Sequence, residues 1–69
     1  MVGRAVRQLR NEQDISQEEL ASRSGVHRTY VWKVESGRVN LTVDNLQQLA
    51  EGLGLPMSRI LVRAEALTG

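Results

Sequence analysis

The side chains of this 69-residue chain that could do chemistry are concentrated between Arg23 and Arg38. Four basic residues, Arg23, Arg28, Lys33 and Arg38, and the single histidine, His27, stand there against one acid, Glu35. The local formal charge is therefore +3, whereas the whole chain carries only +1. Arginine and lysine donate to phosphate oxygens or to guanine O6 and N7, a threonine such as Thr29 meets a base edge or a thymine methyl, and Ser36 can reach phosphate. A basic stretch this short is as often a solvated surface as a binding face. What decides is whether the fold gathers these groups on one side.

Other chemistries lack their residues. With no cysteine and one histidine there is neither a disulfide framework nor a thiolate metal site, and only carboxylates remain as ligands. The adjacent acids Glu18 and Glu19 are accounted for by a favourable helix N-terminus. Serine, histidine and aspartate are present but spread over helix ends with no enclosing pocket. We therefore expect no metal, no cofactor and no catalysis. The length fits one domain over residues 1–69 with a single core, and 41% hydrophobic with 25% charged residues fits a folded chain. The longest apolar runs are two or three residues, so no membrane span or signal peptide is expected and the cytoplasm is the expected location.

The elements that must position the basic stretch are helices. Val2, Val6 and Leu9 recur at helical spacing, with Arg4, Arg7, Arg10 and Asn11 on other faces. Ser16-Gln17-Glu18-Glu19 reads as a capping box: the serine takes the N–H three residues on and the glutamate reaches back to the serine N–H. Leu20 and Ala21 are the buried residues of this second helix, and Gly25 ends it after barely two turns. Val26 and Val31 have the spacing of a hydrophobic staple around a His27 cap, and Gly37 closes the third helix. Leu41 and Leu46 repeat the staple around Thr42, and Leu46, Leu49, Ala50 and Leu53 form a stripe ending at Gly54. Pro56 suits the first turn of a fifth helix carrying Met57, Ile60, Leu61 and Ala64. No alternating run and no hairpin dipeptide occurs. The expected fold is all-α, a compact bundle of five short helices.

Two short helices joined by a glycine turn, here about residues 16–36, form a helix-turn-helix, whose second helix can lie in the DNA major groove. Any small bundle has such corners, so the surface of the third helix carries the argument. At about 100° per residue, Tyr30, Val31 and Val34 share one side, while Arg28, Thr29, Trp32, Lys33 and Ser36 occupy an acid-free arc of about 140°. A lone tryptophan is usually core, but the phase of Trp32 sets it among the polar residues, where it needs a partner to cover it.

Ser16-Gln17-Glu18-Glu19-Leu20-Ala21, Ser24-Gly25-Val26-His27-Arg28-Thr29-Tyr30-Val31, Glu35-Ser36-Gly37 and Asn40-Leu41-Thr42 together resemble the Cro/repressor, or xenobiotic response element, family of helix-turn-helix regulators. The resemblance covers about residues 4–62 and is greatest to small members such as restriction-modification controller proteins and phage Cro-like proteins. It implies a five-helix lambda-repressor-like domain and a homodimer on a two-fold symmetric double-stranded DNA operator. It also implies base contacts by Arg28, Thr29 and Lys33, with Trp32 alongside, and backbone contacts by Gln17, Arg38 and Asn40. Ser36 joins the backbone set, as does His27, which either caps its helix or donates to phosphate when protonated. Arg10 matches an arginine that pairs with the glutamate at Glu35, a structural link. The family often has a small residue at Trp32, so the groove fit differs here, and its recognition helices vary so much that base preference is not inherited.

An antitoxin or adaptor that grips another protein is the alternative, and contact with a toxin or RNA polymerase is left open. A pure adaptor should carry hydrophobic residues rather than Arg28 and Lys33 on the third helix. Single-strand RNA readers show stacking aromatics, of which this chain has two. Finally, the fifth helix has more apolar residues than one face can bury. With Leu55 and Ile60 inward, Met57, Leu61 and Ala64 are expected to lack cover, which places a dimer contact in about residues 55–67.

Overall fold

The three middle helices begin at a side chain that caps the backbone. In the computed structural model, which describes residues 1–68, α1 spans Val2–Glu12, α2 Gln17–Ser24, α3 Arg28–Glu35, α4 Val43–Leu53 and α5 Met57–Thr68. The N-cap side chains accept N–H groups that the first turn leaves orphaned. Ser16 Oγ takes that of Glu19 at 3.0 Å, His27 Nδ1 that of Thr29 at 3.0 Å, and Thr42 Oγ1 that of Asn45 at 3.1 Å. Gly25 and Gly54 stand left-handed, at φ 73° and 69°, where α2 and α4 stop, a conformation that costs glycine little. Gly37 follows Ser36 at the end of α3. Pro56 directly precedes α5, one residue earlier than a first-turn position, and its carbonyl accepts the Arg59 N–H at 3.0 Å.

The capping box forms only by half. Among the described residues Glu19 does not reach back to Ser16; its carboxylate lies 3.8 Å from Arg23, four residues on.

No strand occurs among the described residues, and no helix is long and apolar enough to cross a membrane. One core lies between the helices: Ala5, Val6 and Leu9 of α1, Leu20 and Ala21 of α2, Val31 and Val34 of α3, Leu46, Leu49, Ala50 and Leu53 of α4, and Ile60 and Ala64 of α5. Burial of a side chain such as Leu20, Leu49 or Ile60 contributes about 1.5–3 kcal/mol. α2 packs on α4 and α3, and α1 lies against α5 and α3. Two glycines permit these approaches. A β-carbon at Gly52 would overlap Ser24 Oγ, and one at Gly3 would overlap the Val34 carbonyl oxygen, so the first turn of α1 sits directly on the last turn of α3.

The burial of α5 corrects the expectation for its apolar residues. Ala64 is only 7% exposed and belongs to the core, and Met57 packs partly against it, since α5 is packed on both α1 and α4. Leu61 and Val62 are the ones left open, 43% and 62% exposed. Leu61, Ala64, Glu65 and Thr68 line a shallow, largely apolar depression together with Met1.

Candidate nucleic-acid interface

The short α2 and the turn at Gly25 bring the start of α2 beside the outer side of α3. Arg28, Thr29 and Trp32 of α3 and Ser16, Gln17 and Glu18 at the start of α2 line one cleft of about 580 Å³, floored in part by Arg10. A smaller depression continues from it, lined by Arg7, Arg10, Gln17, Trp32, Glu35 and Ser36. The outer arc of α3 is solvent-facing as its phase requires: Arg28, Thr29, Trp32, Lys33 and Ser36 are all exposed, while Val31 and Val34 are buried.

Inside the seam between α1, α2 and α3 lies an ion pair. Arg10 Nε donates to Glu35 Oε2 at 2.7 Å and Arg10 Nη2 to Glu35 Oε1 at 3.0 Å, a bidentate arrangement. Arg10 Nη1 donates to the Ile15 carbonyl at 2.8 Å, and the Gln17 amide donates to Glu35 Oε1 at 3.0 Å. The carboxylate thus takes three hydrogen bonds from two side chains, which ties the end of α3 to α1 and to the first residue of α2. This geometry fixes the angle at which α3 is presented.

Gln17 borders the cleft, but its side chain is engaged by Glu35 rather than extended outward. His27 is exposed with Nδ1 used as the helix cap, so Nε2 is the nitrogen that faces outward chemistry. The Ser36 hydroxyl donates back to the Trp32 carbonyl at 2.8 Å. The Arg38 guanidinium lies over the Trp32 ring, 5.1 Å from its centroid, a cation–π distance. Asn40 is exposed between α3 and α4, outside the cleft. Lys33 and Arg38 take part in no ion pair among the described residues.

Tyr30 is half-buried, and its hydroxyl is enclosed without a hydrogen-bond partner; burial pushes its pKa up. It stands with the apolar side of α3, not with the cleft residues.

Two residues near this surface were not legible as part of it. Glu18 Oε2 accepts from Arg28 Nη1 at 3.1 Å, so a carboxylate faces the basic arc from α2. Arg7 emerges from α1 beside Trp32 and Ser36. Neither carries a local signal, because both are brought there by helix packing.

The geometry is that of known DNA regulators. A helix-turn-helix family model, HTH_3, matches residues 6–60. The control protein C.SmaI of Serratia marcescens is 43% identical over 58 residues, 84% of this chain and 69% of that one. The crystal structure of the restriction-modification controller protein C.AhdI of Aeromonas hydrophila superposes with a TM-score of 0.83 at 37% identity, over 86% of this chain and 89% of its own. That of the clp gene regulator ClgR of Corynebacterium glutamicum does so with a TM-score of 0.93 at 26% identity, over 99% and 88%. With the turn, the exposed arc of α3 and this family match in agreement, the chain belongs to the XRE-type helix-turn-helix family of transcriptional regulators.

Proposed function

We propose that the chain is a sequence-specific regulator of transcription that binds double-stranded DNA with α3 in the major groove, as a homodimer on a palindromic operator. The exposed, acid-free arc of α3, held at a fixed angle by the bidentate Arg10–Glu35 pair, carries this reading. Arg28, Thr29, Trp32 and Lys33 meet base edges. Gln17, His27, Ser36, Arg38 and Asn40 meet the sugar–phosphate backbone, for which Gln17 leaves Glu35 and Ser36 turns its hydroxyl away from the Trp32 carbonyl. The relatives' names favour control of a restriction-modification system as the setting. Such a role would place the chain in the cytoplasm on the nucleoid. Contact with RNA polymerase or a toxin would add to DNA reading rather than replace it.

Replacing Arg28 or Lys33 by alanine should weaken binding to a selected operator by about 1–3 kcal/mol if the native side chain is bidentate to a base, with relaxed preference at one position. A side chain on phosphate would instead weaken all sequences about equally when removed. Unchanged binding of both variants in a fluorescence titration would overturn the assignment of α3.

For the dimer, the exposed Leu61 at the rim of the α5 depression is the residue to test. A two-fold contact there covers the patch on both copies and presents two α3 helices about 34–36 Å apart, one DNA turn. Sedimentation should show a native dimer at tens of micromolar and a monomeric Leu61→Glu variant. A native monomer that fills half-sites independently, or a Leu61→Glu variant that dimerises normally, would move or remove the interface.

A further inference from the structure

We infer that Arg7, seconded by Arg4, forms a DNA phosphate-binding stripe on α1 that extends the interface beyond α3 and its flanking turns. The stripe rests on the DNA-binding reading of α3 given above. Its basis is the placement of α1 rather than the rotamer of one long side chain.

At about 100° per residue, Gly3, Arg7 and Arg10 fall within an arc of about 60° on α1, and Arg4 lies about 60° beyond Arg7. Two members of that arc, near opposite ends of the helix axis, are pinned to α3. Gly3 sits against the Val34 carbonyl, where no β-carbon fits, and Arg10 is bound bidentately to Glu35. Arg7, between them along the axis and about 40° round from Gly3, leaves the protein at the seam where α1 meets the end of α3 and the start of α2. It does so beside Trp32, Ser36 and Gln17, while Arg4 borders Ser36 and Gly37. Both arginines are exposed, and among the described residues neither is in an ion pair.

The acids nearby are already committed. Glu35 is buried and takes three hydrogen bonds from Arg10 and Gln17, and Glu18 is paired with Arg28. Arg7 and Arg4 thus add two unneutralised guanidinium groups to Lys33 and Arg38 around the end of α3. Two guanidinium groups without an anion, one helical turn apart and flush with a duplex-reading helix, match a run of phosphodiesters. They do not match base edges, since α1 lies beside α3 and not on its outer arc.

The test is the salt dependence of binding. Removing one neutralised phosphate from the interface lowers the slope of log K against log salt by about 0.9. Wild type, Arg7→Gln, the Arg4→Gln/Arg7→Gln pair and an Arg59→Gln control on α5 are titrated on a duplex selected from random sequence and on a scrambled duplex. Arg7→Gln should reduce the slope by about 0.9 and the pair by about 1.8, on both duplexes alike. Between 50 and 200 mM salt the single variant would then lose about 3.5-fold less affinity than wild type. The ratio of selected to scrambled binding should stay unchanged, and so should the thermal midpoint. A slope equal to wild type, a reduction matched by Arg59→Gln, or a changed sequence preference would overturn the stripe. Wild-type chain that does not distinguish the two duplexes would overturn the DNA reading itself, and the stripe with it.

Discussion

Two arginine–glutamate pairs, one bidentate and one held by a single hydrogen bond, lie about the same cleft and do opposite work. Arg10 and Glu35 are 11% and 3% exposed at their side chains, and they meet at 2.7 Å. Arg28 and Glu18 are 67% and 74% exposed, and they meet at 3.1 Å. The first has been taken out of water, so each partner depends on the other for its solvation; removing one leaves a desolvated charge. The second is still hydrated and screened, and an exposed pair of this kind contributes little to stability. Burial and a second hydrogen bond separate a link that sets the angle of α3 from a side chain that is free to be handed over to DNA.

The largest expected effect follows from the buried pair. Glu35→Gln removes the charge that Arg10 and Gln17 converge on, and breaking a buried pair in this way costs about 3–5 kcal/mol. In a domain of this size each kcal/mol lowers the midpoint by about 4–8 °C, so a drop of more than about 12 °C in thermal unfolding is expected. An unchanged midpoint would show that water screens the pair, and the contrast with Arg28–Glu18 would collapse.

Gly3→Ala probes the same seam from its other end. The atom met by the new methyl is a backbone carbonyl in a helix, which cannot rotate away as a side chain would. Overpacking of this kind costs about 1–3 kcal/mol. Unfolding monitored by circular dichroism should show that loss. A variant as stable as wild type would mean that α1 does not rest on the last turn of α3.

The helix boundaries and the arc of α3 were legible because their causes are local. A cap such as Ser16 or Thr42 and its N–H lie three residues apart, and a left-handed glycine acts on its own turn. The staple around His27 and the phase of Trp32 are likewise read from a few consecutive positions. What lay outside the sequence's reach joins residues far apart in the chain. The Gln13 amide donates to the Leu53 carbonyl at 2.7 Å, and Arg63 reaches Gln8 and Glu12 from α5. Ala64 is buried by the packing of α5 on the rest of the bundle, so counting apolar residues on α5 overstated what needed a second copy for cover. Gln17 shows the same limit. Its place at the start of α2 was evident, but its bond to Glu35 depends on how α2 meets α3.

A smaller effect is expected where α5 is tied to α1. The hydrogen bond from Arg63, aided by its charge, holds the Glu12 carboxyl below its usual range. Because the folded pKa is depressed, the stabilisation is present above the unfolded value of about 4.3 and is lost as pH falls through the folded one. The midpoint difference between wild type and Glu12→Gln should therefore be small and positive at neutral pH and vanish in strong acid. A difference that grows on acidification would reverse the sign assigned to this pair.

The smallest effect on folding is expected at the exposed pair, and it sharpens the contrast most. Glu18→Gln should change stability by no more than about 0.5 kcal/mol, since both side chains stay hydrated and Ser16, not Glu18, provides the cap of α2. Its effect on DNA should run the other way from a loss. To reach a base or phosphate, Arg28 must leave the Glu18 carboxylate, and that carboxylate must then sit beside the polyanion. Removing the charge relieves both costs, so Glu18→Gln should bind a duplex more tightly than wild type, most clearly at low salt, where repulsion is least screened. Combined with Arg28→Ala the gain should shrink, because the part that came from releasing Arg28 is gone. A double-mutant cycle in a fluorescence titration reads this directly. If Glu18→Gln weakened binding while Arg28→Ala also did, Glu18 would be holding Arg28 in its binding pose, and the exposed pair would have to be counted with the buried one as part of the scaffold.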